Sequence, residues 1–222
     1  MPQQLNTDSS QTPEGRAARK RYVRTVTSLI ILFLLIGAIC GFTTNFIPSK
    51  SMEPLLVPGD HILTMRAWMA FPAGMGIGRN DVIVFRIPLS QLGEEGENEA
   101  GQKAATEKGK PPETILIKRI IGLPGERIRI EGNSIFINGA PYKADYTYKP
   151  VTHPDDLEFR YGYLEDFKIP KDEYFVLGDN RDESEDSRYW GTVKRQNILG
   201  RFVKVLYNEG QNGPNALRTD SK

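Results

Sequence analysis

The sequence contains a single cysteine and only two histidines, and their scarcity excludes several kinds of chemistry. Cys40 lies within an apolar run, so the rest of the chain has no disulfide, no thiol nucleophile and no thiolate metal ligand. His61 and His153 lack the His-x-x-His and His-Glu-x-x-His spacings of zinc sites. The formal net charge is +1, which provides no overall field to attract nucleic acid. We therefore expect no metal, no other cofactor and no nucleic-acid partner.

One long apolar run is present near the N-terminus. Residues 26–42 carry no charge, and residues 43–47 can extend the segment to about 22 residues. At about 1.5 Å per residue, such a helix crosses a hydrocarbon layer of ~30 Å. Several arginines and a lysine precede the run, whereas Lys50 is the only basic residue soon after it. The positive-inside rule therefore predicts a single-pass protein of the inner, cytoplasmic membrane with a cytoplasmic N-terminus, and it places everything after Asn45 on the outer, periplasmic face.

Other interpretations of this run fit less well. A cleaved secretory signal usually has an apolar region of ~7–15 residues, and Ala38-Ile39-Cys40 is an imperfect cleavage site. A lipid-modified Cys40 is disfavoured because the bulky Ile39 precedes it. A buried helix of a soluble domain is disfavoured because the solid apolar stretch Leu29–Ile36 lies beside a cluster of arginines.

The predicted organisation follows from this run. Residues 1–24 are a basic cytoplasmic tail, residues 25–46 a transmembrane helix, residues 47–210 an outer domain, and residues 211–222 a C-terminal tail. Residues 90–113 are rich in glutamate, lysine and glycine and almost lack large apolar side chains. Such a segment cannot bury enough apolar surface to offset its ordering entropy, so we expect a flexible surface insertion within the outer domain.

The outer domain is predicted to be mainly β. Period-2 alternation and short apolar runs bounded by turn residues indicate strands. These strands cover residues 82–85, 114–121, 126–131, 134–139, 174–177 and 201–207, and Gly132-Asn133 joins two of them as a hairpin. The expected fold is therefore a single transmembrane helix followed by a compact antiparallel β-sheet domain.

The stretch 68–77 is apolar and rich in glycine, and it fits a strand poorly. We expect part of it to touch the outer leaflet, with Trp68 and Phe71 at the membrane interface. Packing of these side chains in the protein core is the alternative.

Ser51 lies between Pro48 and Pro54, just beyond the apolar run, which suggests a nucleophile held at the membrane surface. A serine hydroxyl is a poor nucleophile until a base takes its proton. Neither His61 nor His153 has an informative local setting. A lysine can replace histidine as the base when its ammonium is desolvated, because burial can lower a lysine pKa by several units.

Lys118 fits this requirement because it lies in an apolar strand. Alternation places Leu116, Lys118 and Ile120 on one face of that strand, which makes the lysine a candidate for burial. The alternative is an edge-strand lysine whose stem covers apolar surface while its amine reaches water. On the strand pattern alone, this alternative is favoured.

Four segments, taken together and in this order, resemble the bacterial type I signal peptidases, also called leader peptidases. These are Ser-Lys dyad serine proteases of peptidase family S26. The segments span essentially the whole outer domain, and the third and fourth are highly specific. They are Pro48–Pro54, Asp81–Phe85, Lys118–Gly125 and Gly178–Arg188.

The resemblance implies roles at the matched positions. Ser51 matches the nucleophile and Lys118 the general base. The oxyanion hole would combine the Ser51 N–H with the Ser49 hydroxyl, and Ser184 matches the serine that orients the lysine amine. Charged residues that brace the site match Asp179, Arg181, Asp186 and Arg188, although loop structure alone can explain most of these.

The resemblance also implies a substrate class. The family removes N-terminal signal peptides from exported pre-proteins, cutting after small-x-small sites such as Ala-x-Ala. Pre-proteins and membrane lipid are therefore the expected partners. The extended substrate is expected to add as a strand beside Leu116–Lys118 or beside the segment before Ser51. Residues aligned with the apolar walls of the substrate site, for which core packing is an equal alternative, are Ile47, Pro48, Met52, Leu56, Ile62, Leu116 and Ile117.

Two other functions remain open. One is another kind of Ser-Lys peptidase, such as the self-cleaving repressors, which the predicted membrane anchor and the absence of a DNA-binding helical domain disfavour. The other is a membrane-anchored β domain that binds peptides without cleaving them. The second predicts that Ser51→Ala and Lys118→Ala leave function intact. Cleavage of a pre-protein therefore separates the three functions.

Overall fold

The computed structural model describes residues 13–72, 76–92, 113–152 and 163–210. The chain forms two compact units, residues 1–41 and residues 42–222. The described part of the first unit is the helix α1, Pro13–Gly41, of 29 residues. Pro13 at its first position and Gly41 at its end are residue types that helix termini favour. In the part of the chain that the structure describes, no helix is long and apolar enough to cross a membrane.

The second unit begins at once with the strand β1, Phe42–Phe46. The apolar pattern assigned these residues to the end of the transmembrane helix, and the structure corrects that boundary. Thr43 and Thr44 are β-branched, and the whole segment pairs antiparallel with β2, Asp60–Arg66. At the other end, α1 begins at Pro13, so the latter part of the predicted basic tail is helical.

A seven-stranded antiparallel sheet carries the candidate site. Its order is β1-β2-β11-β3-β4-β9-β10. The strands not yet given are β3, Val82–Pro88; β4, Glu113–Gly122; β9, Glu173–Leu177; β10, Val193–Lys194; and β11, Ile198–Asn208. Two four-residue helices pack on this sheet: α2, Ala67–Ala70, and α3, Ser187–Trp190. The predicted strands in this part of the sequence are confirmed, and most extend further than the pattern indicated.

A smaller sheet of four strands has the order β7-β6-β5-β8. The strands are β5, Arg127–Glu131; β6, Ser134–Ile137; β7, Ala140–Tyr142; and β8, Tyr163–Lys168. The predicted hairpin at Gly132-Asn133 is confirmed, since β5 and β6 pair with Glu131 opposite Ser134. The buried isoleucines of β5 and β6 pack with Ile121 and Phe175 of the large sheet, which joins the two sheets through one apolar cluster.

The strand β4 has one feature that matters for the site. It pairs with β3 from Glu113 to Arg119, but its pairing with β9 begins only at Arg119. On the side opposite β3, the described residues therefore leave the stretch 113–118 as an open strand edge.

The structure changes two expectations, one for the stretch 68–77 and one for the insertion 90–113. Phe71 is buried in the apolar cluster beneath α2, so it cannot lie at a membrane interface, whereas Trp68 is 58% exposed. Core packing therefore explains Phe71. Ser90 lies in a short 3-10 helix, Leu89–Gln91, and Glu113 begins β4, so both ends of the predicted insertion are ordered. The body of that insertion, residues 93–112, lies outside the described residues, as do His153 and the tail from residue 211 onward.

Candidate active site

Ser51 lies in the loop between β1 and β2. The loop forms turns in which Glu53 N–H donates to Lys50 O at 3.0 Å and Leu56 N–H to Met52 O at 2.9 Å. The side chains of Met52 and Leu56 are buried, which fixes the loop on the sheet. Ser51 itself is 2% exposed. A short loop held by two apolar anchors presents the serine in a defined position beneath the surface.

Lys118 approaches this serine from the middle of β4. Its side chain is 1% exposed, and its Nζ lies 2.6 Å from Ser51 Oγ. The predicted alternation is present, because Leu116 and Ile120 on the same face contribute to one apolar cluster and Ile117 on the other face packs against a second. Of the two interpretations of Lys118, the structure therefore supports the buried lysine.

A second hydroxyl group lies beside the nucleophile. Ser49 Oγ is 3.2 Å from Ser51 Oγ. Within the described chain, the main-chain N–H of Ser51 donates to no acceptor. A hydroxyl and a free N–H thus flank the serine oxygen, the combination of donors expected of an oxyanion hole.

Asp179 forms a buried ion pair with Arg119, the residue that follows Lys118. Arg119 Nε donates to one carboxylate oxygen at 2.8 Å and Nη2 to the other at 2.7 Å, while Nη1 donates to Asn80 O at 2.8 Å. The guanidinium also lies 4.0 Å from the ring centre of Tyr146. Because Arg119 points to the opposite face of β4 from Lys118, this pair braces the strand and does not reach the serine.

Ser184, Asp186 and Arg188 form a second buried network. Ser184 Oγ donates to Asp186 Oδ2 at 2.9 Å, and the N–H of Gly178 donates to the same oxygen at 3.0 Å. Arg188 Nε donates to Asp186 Oδ1 at 2.7 Å. Burial alone would raise the pKa of Asp186, but the adjacent Arg188, the Gly178 N–H and the positive charge of Lys118 hold that pKa below its ordinary value.

Arg181 contacts the backbone and two tyrosines, and it contacts neither hydroxyl of the site. Its Nε donates to Gly178 O at 2.8 Å and its Nη2 to Tyr146 Oη at 2.8 Å, and its guanidinium lies 4.6 Å from the Tyr148 ring. Burial raises the pKa of the Tyr146 phenol, which therefore stays protonated at neutral pH. Arg181 thus closes the loop onto the segment 146–148.

Gly178 lies where the two loops of the site come closest. A Cβ at this position would overlap the Ser184 side chain and would lie 2.5 Å from the carbonyl oxygen of Ser51. No residue other than glycine fits here without a shift of the backbone. The lack of a side chain therefore lets Ser184 and the nucleophile loop lie against the same strand end.

The predicted apolar walls divide between the two faces of the large sheet. Ile47, Met52, Leu56 and Ile62 are buried in one cluster, and Ile117 packs against it. Leu116 packs against a different cluster on the other face, and Pro48 is exposed. The structure thus brings five of the seven predicted wall residues together in one apolar cluster.

Some site residues carried no usable sequence signal. Asn180 belongs to the Gly-Asp-Asn-Arg-Asp segment, yet nothing in the sequence showed that it contacts the nucleophile loop. Lys149 pairs with Glu53 across 96 positions of sequence. Tyr146 lies in a region without periodicity. In the four described stretches of chain, no three His, Cys, Asp or Glu side chains group as metal ligands would.

The buried Asp186–Arg188 pair predicts acid sensitivity. A carboxylate whose folded-state pKa is depressed contributes stability above its unfolded pKa of about 3.9, and that stability is lost as the pH falls towards the folded value. We expect Asp186→Asn to lower the free energy of unfolding by about 3–5 kcal/mol at pH 7, because Arg188 is then buried without its anion. This deficit should shrink below pH ~4.

Denaturant titrations at pH 7 and near pH 3 measure both quantities. The matched control is Asp166→Asn, which breaks an exposed pair with Arg127 and should change little at either pH. If the parent and Asp186→Asn lost stability in parallel on acidification, Asp186 would not be the source of the effect.

The sequence is similar to known proteins over most of its length. The family described as signal peptidase, peptidase S26, matches residues 19–207. A signal peptidase I from Leptolyngbya laminosa is 33% identical over 197 residues, which cover 88% of this chain and 83% of that protein. A probable signal peptidase I-2 from Synechocystis is 32% identical over 182 residues, 82% of this chain and 70% of that protein.

Among solved structures, a signal peptidase I from Enterococcus faecalis is 29% identical, with a TM-score of 0.36, and the match covers 57% of this chain and 96% of that one. The family match spans most of the chain, including every residue assigned above to the candidate site. The chain therefore belongs to the signal peptidase family, peptidase S26, and is a peptidase.

Proposed function

We propose that this chain removes N-terminal signal peptides from exported pre-proteins, with Ser51 as the nucleophile and Lys118 as the general base. The observation that carries the proposal is the 2.6 Å contact between Lys118 Nζ and Ser51 Oγ, made by two side chains that are 1% and 2% exposed. A buried lysine against a buried serine hydroxyl is costly for stability. Base catalysis gives this arrangement a use.

The burial of Lys118 sets up the proton transfer. Removing an ammonium group from water disfavours its charged form, so the neutral amine becomes accessible at neutral pH. The neutral Nζ accepts the proton of Ser51 Oγ as the oxygen attacks the scissile carbonyl carbon. The ammonium then donates this proton to the nitrogen of the leaving peptide. A water molecule, deprotonated by the same amine, hydrolyses the acyl-enzyme.

The tetrahedral intermediate needs donors for its oxyanion. We assign this role to the Ser51 N–H and the Ser49 hydroxyl, both of which lie beside Ser51 Oγ. The hydroxyl rotates freely about its C–O bond, so it can turn from Ser51 to the oxyanion. Removal of one such donor typically costs about 3–4 kcal/mol of transition-state stabilisation.

Ser184 and Asp186 position the base. The Ser184 hydroxyl donates to Asp186, so its lone pairs face away from that carboxylate and are available to a donor such as the Lys118 amine. Arg188 holds Asp186 by two of its nitrogens. The direction of the lysine amine thus depends on a chain of buried hydrogen bonds that ends at a guanidinium group.

The substrate binds as an extended strand. The open edge of β4 at residues 113–118 leads to Lys118, and the segment 47–49 leads to Ser51, so a peptide between them can pair with main-chain groups on both sides. Ile47, Met52 and Ile62 are buried and packed, as core side chains are. The expected preference for Ala-x-Ala sites therefore rests on the family to which the chain belongs.

The dyad predicts a specific pair of results for the base. Lys118→Met keeps the length of the side chain and removes the amine, so we expect cleavage of a pre-protein with an Ala-x-Ala site to fall at least about 10³-fold. The free energy of unfolding should not fall, because an apolar side chain replaces a buried amine. Ser51→Ala should be equally inactive and folded.

The assay follows the mature product by gel and by mass spectrometry, and the unfolding of each variant by denaturant titration. A pre-protein with Leu at the last and third-last signal positions is the matched substrate control and should resist the parent enzyme. Normal processing by Ser51→Ala would eliminate the proposed chemistry and favour an anchored peptide-binding domain.

The close approach at Gly178 generates a further prediction. Gly178→Ala should reduce kcat by about 10²-fold or more, because the added methyl displaces Ser184 or the Ser51 carbonyl by a fraction of an ångström. Gly76→Ala is the matched control, since its Cβ would meet nothing within 4 Å. Steady-state cleavage of a synthetic signal peptide measures both, and equal kcat values would show that the loops tolerate the methyl group.

We further propose that the uncharged run 26–42 anchors the chain in a membrane, with the arginines before it on the cytoplasmic side. The sequence pattern carries this proposal. Full-length protein should stay in the membrane pellet after extraction with alkaline carbonate, and a chain that begins at Phe42 should be released. Release of the full-length protein would contradict the anchor and would leave the peptidase assignment untouched.

A further inference from the structure

Asn180 lies at the point where the loop 178–188 meets the nucleophile loop. The residue is 3% exposed. It follows Asp179, which pairs with Arg119, and precedes Arg181, which binds Tyr146. Neither neighbour touches the nucleophile loop through these side-chain contacts, whereas Asn180 contacts that loop directly.

Asn180 binds the main chain on both sides of the nucleophile. Its own N–H donates to the carbonyl oxygen of Ser51 at 3.0 Å. Its side-chain Nδ2 donates to the carbonyl oxygen of Lys50 at 3.3 Å. The two peptide planes that meet at Ser51 are therefore both held by one residue, located 130 positions away from Lys50.

The contact with Lys50 O fixes the direction of a catalytic donor. Lys50 O and Ser51 N belong to the same peptide unit, which is planar and trans. In a trans peptide the C=O and N–H point in opposite directions. Because Asn180 binds the oxygen, the Ser51 N–H points away from Asn180. That N–H is the donor assigned above to the oxyanion.

We infer that Asn180 is a positioning residue for catalysis: its side-chain amide holds the Lys50–Ser51 peptide so that the Ser51 N–H is directed at the oxyanion of the tetrahedral intermediate. This inference rests on the proposed function and adds to it a residue that touches neither substrate nor base. The backbone N–H of Asn180 anchors the peptide that follows Ser51. Its side chain, together with the Glu53 N–H on the same Lys50 oxygen, sets the rotation of the Lys50–Ser51 peptide.

The surroundings of Asn180 hold it in place for this task. It forms a parallel β-bridge with Lys149, in which Lys149 N–H donates to Asp179 O at 2.8 Å and Arg181 N–H to Lys149 O at 3.0 Å. The side chain of Lys149 in turn pairs with Glu53 of the nucleophile loop. The main chain of Asn180 is thus fixed by its neighbours. Lys50 O also accepts from the Glu53 N–H at 3.0 Å, so loss of the Asn180 amide removes one of two donors that hold the Lys50–Ser51 peptide and loosens its rotation.

The test uses the full-length chain and a synthetic signal peptide with an Ala-x-Ala site. Asn180→Ala keeps the backbone bond to Ser51 O and removes the amide donor. We expect kcat to fall about 10- to 100-fold while KM changes less than about threefold, since the lost alignment matters mainly in the transition state. Asn180→Asp, which keeps the volume and places a carboxylate near Lys50 O, should show at least the same loss.

The inhibition constant of a peptide aldehyde is a second measurement, and it would not change if Asn180 only stabilised the fold. Its adduct with Ser51 carries an oxygen at the oxyanion position, so its inhibition constant should rise in step with the fall in kcat/KM. The matched control is Asn208→Ala, because the buried Asn208 amide also donates to a main-chain carbonyl of the β1–β2 loop, Pro58 O, at 3.1 Å, but not to a peptide that contains Ser51. We expect this control to be destabilised but to keep kcat within twofold.

The outcomes separate this inference from the proposed function. If Ser51→Ala is inactive while Asn180→Ala and Asn180→Asp keep kcat within twofold of the parent, Asn180 does not position the donor. The same conclusion follows if kcat falls without any loss of aldehyde affinity, or if Asn208→Ala loses kcat to the same extent. An active Ser51→Ala would instead refute the proposed function itself.

Discussion

The proposed chemistry depends on keeping the Lys118 amine out of water next to a hydroxyl group. A lysine in the interior loses hydration worth several kilocalories per mole, and the hydrogen bond to Ser51 does not by itself restore it. The lysine side chain shares its face of β4 with Leu116 and Ile120, which belong to or pack against one apolar cluster, and β3 pairs with β4 alongside it. The edge of β4 on the other side, at residues 113–118, stays open. The strand that carries the buried amine therefore also offers the edge to which a substrate is proposed to bind.

The charged residues around the dyad are arranged in pairs, and this has an electrostatic consequence. An unpaired buried carboxylate near Lys118 would stabilise its ammonium form and oppose its action as a base. Asp179 and Asp186 are each neutralised by an arginine, Arg119 and Arg188. The pairing reduces the negative potential at the amine but leaves an attraction between Asp186 and the charged form of Lys118. On the proposed mechanism, the arginines thus make the neutral amine easier to reach.

Much of this could be predicted from the sequence because it depends on local pattern. Period-2 alternation gave β4 and its two faces, and turn residues gave the β5–β6 hairpin. The end of α1 was misassigned because β1 continues the apolar composition of the helix. Its strand conformation comes from pairing with β2, a contact that no local pattern records. The proposed role of Asn180 leaves no sequence signal for a similar reason. Its partners are main-chain carbonyls, which every residue carries, so no residue type marks the contact.

The distances along the chain show why the dyad exists only in the folded domain. Lys118 and Ser51 are 67 positions apart, and Asn180 lies 130 positions from Lys50. Before β3 and β4 pair and the loop 178–188 closes, the lysine is hydrated, and with an ordinary pKa near 10.4 it is protonated at neutral pH. The serine then has no base. On the proposed mechanism, folding is therefore the step that gives Ser51 its base.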